Sequence, residues 1–231
     1  VLSICWLDNN FLAVSDKAGR CFIWDIKKES FFASLETRGN IICGLFYKNN
    51  ILYGLSMNSR LQLWDIATQK QIMNFKIPPL PQIGALIKSI YWPANNALVF
   101  PGTEGRLCLY NIEHKTISTI KAHEGDFYSL TLCGDHIASF GMQDHLVKIW
   151  CKDNDKPVLT YHTDRMIISS VCFSDQQDRF LLVDSVGAAY DYILEQDGFK
   201  FVQRLHGQDY RVCISLCPMD EHLFTDKVQK N

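Results

Sequence analysis

Short runs of alternating apolar and polar residues, separated by turn-forming residues, fill the beginning of the chain. Between residues 1 and 35 four such runs follow one another, and they read VLSICW, FLAVS, RCFIWD and SFFASL. The segments between them are rich in Asp, Asn, Gly and Lys, which favour turns. Apolar residues do not recur at the i, i+3, i+4 spacing of an amphipathic helix, so the pattern predicts four β-strands.

The same four-run scheme repeats along the chain. It recurs over residues 41–76, 87–122, 127–162 and 168–205, and the runs RVCISLC and HLFTD then predict two strands of an incomplete sixth repeat. The third run of each complete repeat carries an aromatic residue near its end. These residues follow one another at steps of 40, 46, 40 and 40, and they are Trp24, Trp64, Tyr110, Trp150 and Tyr190. A longer connection at 77–86, IPPLPQIGAL, accounts for the step of 46.

Four-stranded repeats of about 40 residues are typical of β-propellers, and the sequence resembles the WD-repeat family nearly from end to end. The resemblance implies an all-β propeller of four-stranded antiparallel blades, with five complete blades and a partial sixth in one domain over 1–231. The expected blades cover residues 1–36, 37–77, 86–122, 123–162, 163–206 and, in part, 207–231. Seven such blades need roughly 290 residues. We therefore expect this chain, which opens on Val1, to be a portion of a seven-bladed ring and a piece of a longer protein.

The resemblance also implies a hydrogen-bond network in the fourth blade. In that family a histidine before the first strand binds an acidic residue in a turn, and it also binds a hydroxyl that holds the tryptophan indole. The residues that match are His123, Ser139, Asp144 and Trp150. The fifth blade matches in part, through His162 and Asp184, but has Tyr190 in place of tryptophan. The first two blades lack the histidine, which indicates a diverged array.

A serine, a histidine and an aspartate in one blade also suggest a hydrolase, because nucleophilic catalysis uses that trio. The structural interpretation is favoured, since the set follows the repeat and no GxSxG-type elbow occurs in the sequence. No histidine pair has metal-ligand spacing, and neither GxxxxGK[ST] nor GxGxxG is present. We therefore expect no catalytic residue, no metal site and no cofactor.

The nine cysteines are scattered through the predicted strands, where a thiol serves as a small apolar side chain. Their number is odd and no CxxC pair occurs, so neither a disulfide framework nor a zinc site is indicated. We expect reduced cysteines and a cytoplasmic or nuclear location.

The charge balance narrows the class of partner. The 23 basic and 25 acidic residues leave a formal net charge of −2. Backbone binding to nucleic acid needs a clustered basic surface, so we do not expect nucleic acid as the main ligand. No apolar run approaches the roughly 18 residues of a membrane span, and no signal peptide is evident, so no membrane partner is expected.

Partner binding is therefore expected on loops. In the WD-repeat family one face of the ring binds partners through the loops that enter the first strands and the turns between second and third strands. The entering loops of this chain would be 36–40, 77–86, 121–127, 163–166 and 207–211. Aromatic and arginine side chains dominate interface energetics. The candidates on these loops are Arg38, Asp126, Phe127, Arg165, Tyr210 and Arg211. The proline-rich run 78–81 has two interpretations, a stiff loop and a polyproline ligand, of which the stiff loop is favoured.

Three functions are compatible with the sequence, and the first is favoured. The chain is a non-catalytic scaffold that binds a protein or peptide, alone or in a multisubunit complex. Alternatively, it is a sensory or autoinhibitory array within a larger signalling protein. The third function, an enzyme with its site on the propeller face, has no motif to support it.

Overall fold

The computed structural model consists of β-sheets packed in series. It describes residues 1–8, 10–81, 87, 89–163, 167–172, 179–184, 188–195 and 198–205. Within these residues twenty strands form five four-stranded sheets, and in each sheet the strands pair in chain order and antiparallel. The all-β prediction and the five complete blades are thereby confirmed. The expected sixth blade, at 207–231, lies outside the described residues.

Each blade is a meander of four consecutive strands. The first two blades contain β1 Ser3–Trp6, β2 Phe11–Ser15, β3 Cys21–Asp25 and β4 Ser30–Leu35, then β5 Ile42–Lys48, β6 Ile51–Ser56, β7 Arg60–Asp65 and β8 Lys70–Lys76. The third contains β9 Ile90–Trp92, β10 Ala97–Gly102, β11 Arg106–Asn111 and β12 Thr116–Lys121. The fourth contains β13 Phe127–Cys133, β14 His136–Gly141, β15 Leu146–Trp150 and β16 Leu159–His162. The fifth contains β17 Ile167–Cys172, β18 Arg179–Asp184, β19 Ala189–Glu195 and β20 Gly198–Leu205.

The hydrophobic core lies between the blades. Because successive side chains of a strand point to opposite faces, each inner strand supplies apolar groups to both neighbours. In β14, Ile137 packs into the cluster shared with the third blade, whereas Ala138 and Phe140 pack into the cluster shared with the fifth. Two further clusters join the first blade to the second and the second to the third. A single sheet this small cannot bury both of its faces alone, so each blade depends on its neighbours.

The aromatic residue of each third strand marks the face turned to the preceding blade. Trp64 packs on the first blade and Trp150 on the third, and both are fully buried. Trp24 occupies the same position in the first blade but is only half-buried. That face of the first blade also exposes Ile4 and Trp6. Within the described residues, no sheet covers this face.

The described part of the connection between the second and third blades, residues 77–81, is anchored by buried side chains although Pro79 is exposed. Ile77 and Leu80 are buried in the cluster that joins these two blades. The backbone N–H of Leu80 donates to Ser59 Oγ at 3.0 Å, and the N–H of Thr103 donates to the Pro79 carbonyl oxygen at 2.9 Å. These contacts support the stiff-loop interpretation and leave Leu80 inaccessible to a peptide-binding groove. In the part of the chain that the structure describes, no helix has the length and apolarity needed to cross a bilayer.

Candidate functional site

The meander topology brings two kinds of loop to the same edge of the blades. Turns between second and third strands lie there, together with the connections that enter each first strand. We call this edge the loop rim, and its described residues used below are 16–20, 36–41, 56–60, 76–81, 102–106, 121–127 and 141–146. The turns between third and fourth strands lie at the opposite rim.

The loop rim of the fourth blade contains a chain of four hydrogen-bonded side chains. Trp150 Nε1 donates to Ser139 Oγ at 2.9 Å. Ser139 Oγ lies 2.7 Å from His123 Nε2, and His123 Nδ1 lies 3.0 Å from Asp144 Oδ2. These are the four residues that the family resemblance singled out. The network ties the entering loop, the second strand, the turn and the third strand of this blade together.

One protonation state satisfies every polar atom of this network. Burial lowers the pKa of His123 below its ordinary value of 6.5, although Asp144 acts in the opposite direction. Burial alone would raise the pKa of Asp144, but hydrogen bonds from His123 and from backbone N–H groups outweigh it and lower the pKa to about 2. A neutral imidazole therefore donates from Nδ1 to the charged carboxylate and accepts at Nε2 from the Ser139 hydroxyl.

The second blade uses amides for the same purpose. Ser56 Oγ donates to Asn58 Oδ1 at 2.6 Å, and Asn58 Nδ2 donates to Asn40 Oδ1 at 2.5 Å. The indole of Trp64 donates instead to the backbone carbonyl oxygen of Glu36 at 2.9 Å. Asn40 was not predicted from the sequence, because the family pattern has a histidine at this point of the network. The signal was present, since a side chain with donors and acceptors stands at the end of the entering loop.

The fifth blade has a shorter connection. Tyr190 donates its hydroxyl to Asp184 Oδ2 at 2.9 Å, and the backbone N–H of Ala188 donates to Asp184 Oδ1 at 2.9 Å. Both Tyr190 and Asp184 are buried. A phenol is longer than an indole in the direction of its donor, so it reaches the carboxylate without an intermediate hydroxyl.

His162 occupies a different position from His123. It pairs with Leu146 as the last residue of its strand, the position that Lys121 holds by pairing with Arg106. His123 lies two residues beyond Lys121 and is buried, whereas His162 is exposed and its ring stacks near His145 at a centroid distance of 6.2 Å. The residue two places beyond His162 is residue 164, which lies outside the described residues.

The candidate partner-binding residues differ in their exposure to solvent and in their contacts. Arg38 is exposed, with its Nε 3.2 Å from Glu36 Oε1, and remains available to a partner. Asp126 accepts a hydrogen bond from the backbone N–H of Glu104 at 2.7 Å and so joins two loops of the rim. The prediction that Phe127 contacts a partner is wrong, because Phe127 begins β13 and its ring is fully buried against His123. Arg165, Tyr210 and Arg211 lie outside the described residues.

Comparison with solved structures gives the fold a name. The structure of U3-55K aligns with a TM-score of 0.71 at 15% identity, over 88% of this chain and 66% of that chain. The RRP9 WD40 repeats align with a TM-score of 0.70 at 15% identity, over 88% and 66%. A chain of the mitotic checkpoint complex aligns with a TM-score of 0.77 at 14% identity, over 90% and 65%. The fold is a WD40-repeat propeller.

Sequence comparison agrees with this WD40-repeat fold. The chain matches no protein-family profile. A WD repeat-containing protein of Dictyostelium discoideum is 26% identical to it over 166 residues. The match covers 68% of this chain but only 9% of the relative's length.

The side chains of this WD40-repeat network stabilise the fold, and their burial leaves no room for a substrate. Ser139 and His123 are at most 1% exposed, so no substrate carbonyl can approach the serine oxygen. That oxygen already has the Trp150 N–H as its donor and His123 as its acceptor. Within the residues that the structure describes, no three His, Cys, Asp or Glu side chains are grouped as metal ligands.

Proposed function

We propose that this chain is a non-catalytic scaffold that binds a protein or peptide through the loop rim. The observation that carries the proposal is the hydrogen-bonded serine, histidine and aspartate of the fourth blade. The polar atoms of these side chains bind one another and hold the rim together. Charged side chains such as Arg38 and Glu124 extend from the same rim into solvent.

The rim is held in place by hydrogen bonds between neighbouring loops. Thr37 Oγ1 donates to the Gly19 carbonyl oxygen at 2.5 Å, and Asn58 joins Asn40. Gly19 has a φ of 75°, and a Cβ there would lie 3.1 Å from the Gly39 carbonyl oxygen, so the two loops are in close contact. A surface fixed before binding loses less conformational entropy when a partner docks.

The structural neighbours support the class of partner. One of them is a chain within a mitotic checkpoint complex, which is a protein assembly. At 14% identity this likeness establishes the fold, and a protein partner for this chain follows as part of the proposal.

Alanine substitutions on the two rims test the proposal. The first variant replaces Lys17, Arg38, Arg106 and Glu124 on the loop rim. The control replaces Lys27, Lys70, Glu113 and Lys115 on the opposite rim, with the same change in net charge. Affinity capture followed by quantitative mass spectrometry should show partners lost by the first variant alone. If both variants fold and retain every partner, the loop rim is not the binding surface.

A second candidate function is a sensory or autoinhibitory array within a larger signalling protein. It is favoured by the curated relative, of which the matching part is only 9%. The sequence that flanks this chain in its gene would reveal any neighbouring catalytic domain. Activity of that domain with and without the propeller then distinguishes autoinhibition, which predicts higher activity after deletion, from a simple scaffold.

We also propose a reducing compartment, the cytoplasm or nucleus, as the location. Cys5, Cys21, Cys43, Cys108 and Cys151 are free thiols in the structure. Fluorescence microscopy of the tagged natural protein tests this location directly, and a secreted or lumenal signal would contradict it.

A further inference from the structure

Charge is unevenly distributed along the loop rim. The part contributed by the first two blades, residues 16–20, 36–41, 56–60 and 76–81, contains five basic and two acidic side chains. The part contributed by the third and fourth blades, residues 102–106, 121–127 and 141–146, contains two basic and four acidic side chains. We call these parts the basic half and the acidic half of the rim.

Several cations of the basic half lack an anionic partner. Asp16 is occupied by Arg20, whose NH2 group lies 2.5 Å from its carboxylate. Lys17, Arg60 and Lys76 form no ion pair with any carboxylate of the described residues. The Arg60 guanidinium is oriented by Asn74, because its Nε donates to Asn74 Oδ1 at 2.6 Å. Asn74 is uncharged, so the positive charge of Arg60 remains uncompensated.

The acidic half is neutralised differently. Arg106 lies 2.9 Å from Glu104, and Lys121 Nζ donates to the Glu104 carbonyl oxygen at 2.7 Å. Asp144 is held by His123. The cations of this half are therefore occupied, and its remaining carboxylates repel an anionic ligand.

Hydrogen bonds join the loop segments of the basic half to one another, and one apolar side chain is exposed among them. Asn40 and Asn58 join its second and third segments, and the Ser59 backbone oxygen accepts from Ile77 N at 3.0 Å to join the fourth. Met57 lies within it and is 40% exposed. An anion at a single point would leave most of these cations unused, whereas an extended chain can pass along all four segments.

We propose that the basic half of the rim binds an extended, carboxylate-rich peptide segment that places one apolar side chain against Met57. The proposal rests on the loop-rim function above and specifies its partner. Complementary charge sets the orientation and speeds association, and the apolar contact adds packing. The observations favour a peptide over RNA, because recognition of single strands uses exposed aromatic rings and the phenyl ring on the described rim, that of Phe127, is buried.

Fluorescence anisotropy with synthetic probes tests this assignment on the whole chain. The main probe is a labelled peptide of six glutamates around one central leucine. Its controls replace the glutamates by lysines, or the leucine by glycine. We expect the acidic leucine probe to bind most tightly, with affinity falling as salt is raised.

Charge reversal locates the site. In the rim variant Lys17→Glu, Arg38→Glu and Lys76→Glu are combined, and the matched control combines Lys27→Glu, Lys70→Glu and Lys115→Glu on the opposite rim. We expect the rim variant to bind the acidic probe with an affinity at least about tenfold lower than that of the parent. The control variant should lose less than about twofold in affinity for the same probe. Met57→Gln should abolish the difference between the leucine and glycine probes, whereas Ile72→Gln, on an exposed outer strand, should leave it unchanged.

Specific outcomes overturn the assignment. Equal weakening by both charge-reversal variants would show an unlocalised charge effect, and tighter binding of an RNA oligonucleotide than of the peptide would show a nucleic-acid surface. If the acidic probe does not bind but natural partners are still lost from the loop-rim alanine variant, the acidic-peptide assignment fails and the scaffold function stands. If those partners are retained as well, both proposals fail.

Discussion

Tyr190 donates its hydroxyl directly to Asp184 Oδ2 at 2.9 Å in the fifth blade. These two residues hold the positions that Trp150 and Asp144 hold in the fourth blade, where they are the two ends of a chain of four hydrogen-bonded residues. In the fourth blade the same span, from Asp144 to Trp150, requires His123 and Ser139 as intermediates. Adjacent blades therefore connect the third-strand aromatic residue to the acidic turn residue in two different ways. In both, a carboxylate accepts a backbone N–H of the turn before the third strand and so anchors that turn.

Removing the phenol oxygen should destabilise the fifth blade. In Tyr190→Phe the buried carboxylate of Asp184 loses a donor, and we expect the free energy of unfolding to fall by about 1–3 kcal/mol. Tyr110→Phe is the matched control at the equivalent position of the third blade. The side chain of Glu104 there turns to Arg106, so we expect a smaller loss. Urea unfolding measures both, and equal losses would contradict the role of the Asp184 bond.

The network of the fourth blade should matter for stability and not for binding. His123→Ala leaves Asp144 and Ser139 without their shared partner, and we expect a loss of about 1–3 kcal/mol in the free energy of unfolding. His162→Ala removes an exposed histidine and should change it by less than about 0.5 kcal/mol. A His123→Ala protein that melts like the parent but loses a specific activity would reopen a catalytic role.

Acid should weaken the same network. The pKa values of His123 and Asp144 are both lower in the folded chain than their ordinary values of 6.5 and 3.8, so the unfolded chain binds more protons. Stability from these groups is therefore present above those values, and it is lost as the pH falls below 6.5 for His123 and from 3.8 towards about 2 for Asp144. Urea unfolding measured at a series of pH values from about 8 to about 4 should show the free energy of unfolding falling more steeply for the parent than for His123→Gln. Parallel declines would contradict the assignment.

The repeats were predictable from the sequence because the signals that define a strand and a turn are local. Alternation, turn residues and the periodic aromatic residues required no knowledge of the third dimension. Phe127 shows where this information ends. It stands at the end of a loop, where exposure is a reasonable expectation, but it is the first residue of β13 and packs between two blades. Which face of a strand a terminal residue takes depends on the neighbouring blade.

His162 shows a second limit, which is register. Lys121 pairs with a residue 15 positions earlier, whereas His162 pairs with one 16 positions earlier, because the turn before β16 is longer. Sequence spacing alone does not reveal which strand absorbs an extra residue. The amides of Asn40 and Asn58 show a third limit, because a hydrogen-bonded position can be filled by different chemical groups and leave no shared motif.

The cysteines should differ in reactivity. Burial raises the pKa of Cys21, Cys43 and Cys108 to about 12, so these thiols carry almost no thiolate at neutral pH. Cys151 is partly exposed. Brief iodoacetamide treatment of the native protein, followed by peptide mass spectrometry, should label Cys151 before the other three. After denaturation in urea all four should react, and early labelling of Cys21 in the native protein would contradict its burial.

The tryptophans provide a test of the uncovered face of the first blade. Trp24 and Trp64 hold equivalent positions, but Trp64 is fully buried against the first blade and Trp24 is half-buried. Trp6 is 44% exposed on the same side of the first blade as Trp24. Hydroxyl-radical footprinting should therefore oxidise Trp6 and Trp24 faster than Trp64, Trp92 and Trp150, which are at most 1% exposed.

Denatured protein provides the control for that experiment, because all five tryptophans should then be oxidised at similar rates. Protection of Trp24 equal to that of Trp64 in the native protein would mean that the first blade is covered in solution. Repeating the footprinting over a range of protein concentrations would identify the cover. Protection that disappears on dilution indicates a second copy of the chain, since association depends on concentration. Protection that persists on dilution indicates a segment of the same chain, and in either case Ile4 and Trp6 would be part of a packed interface.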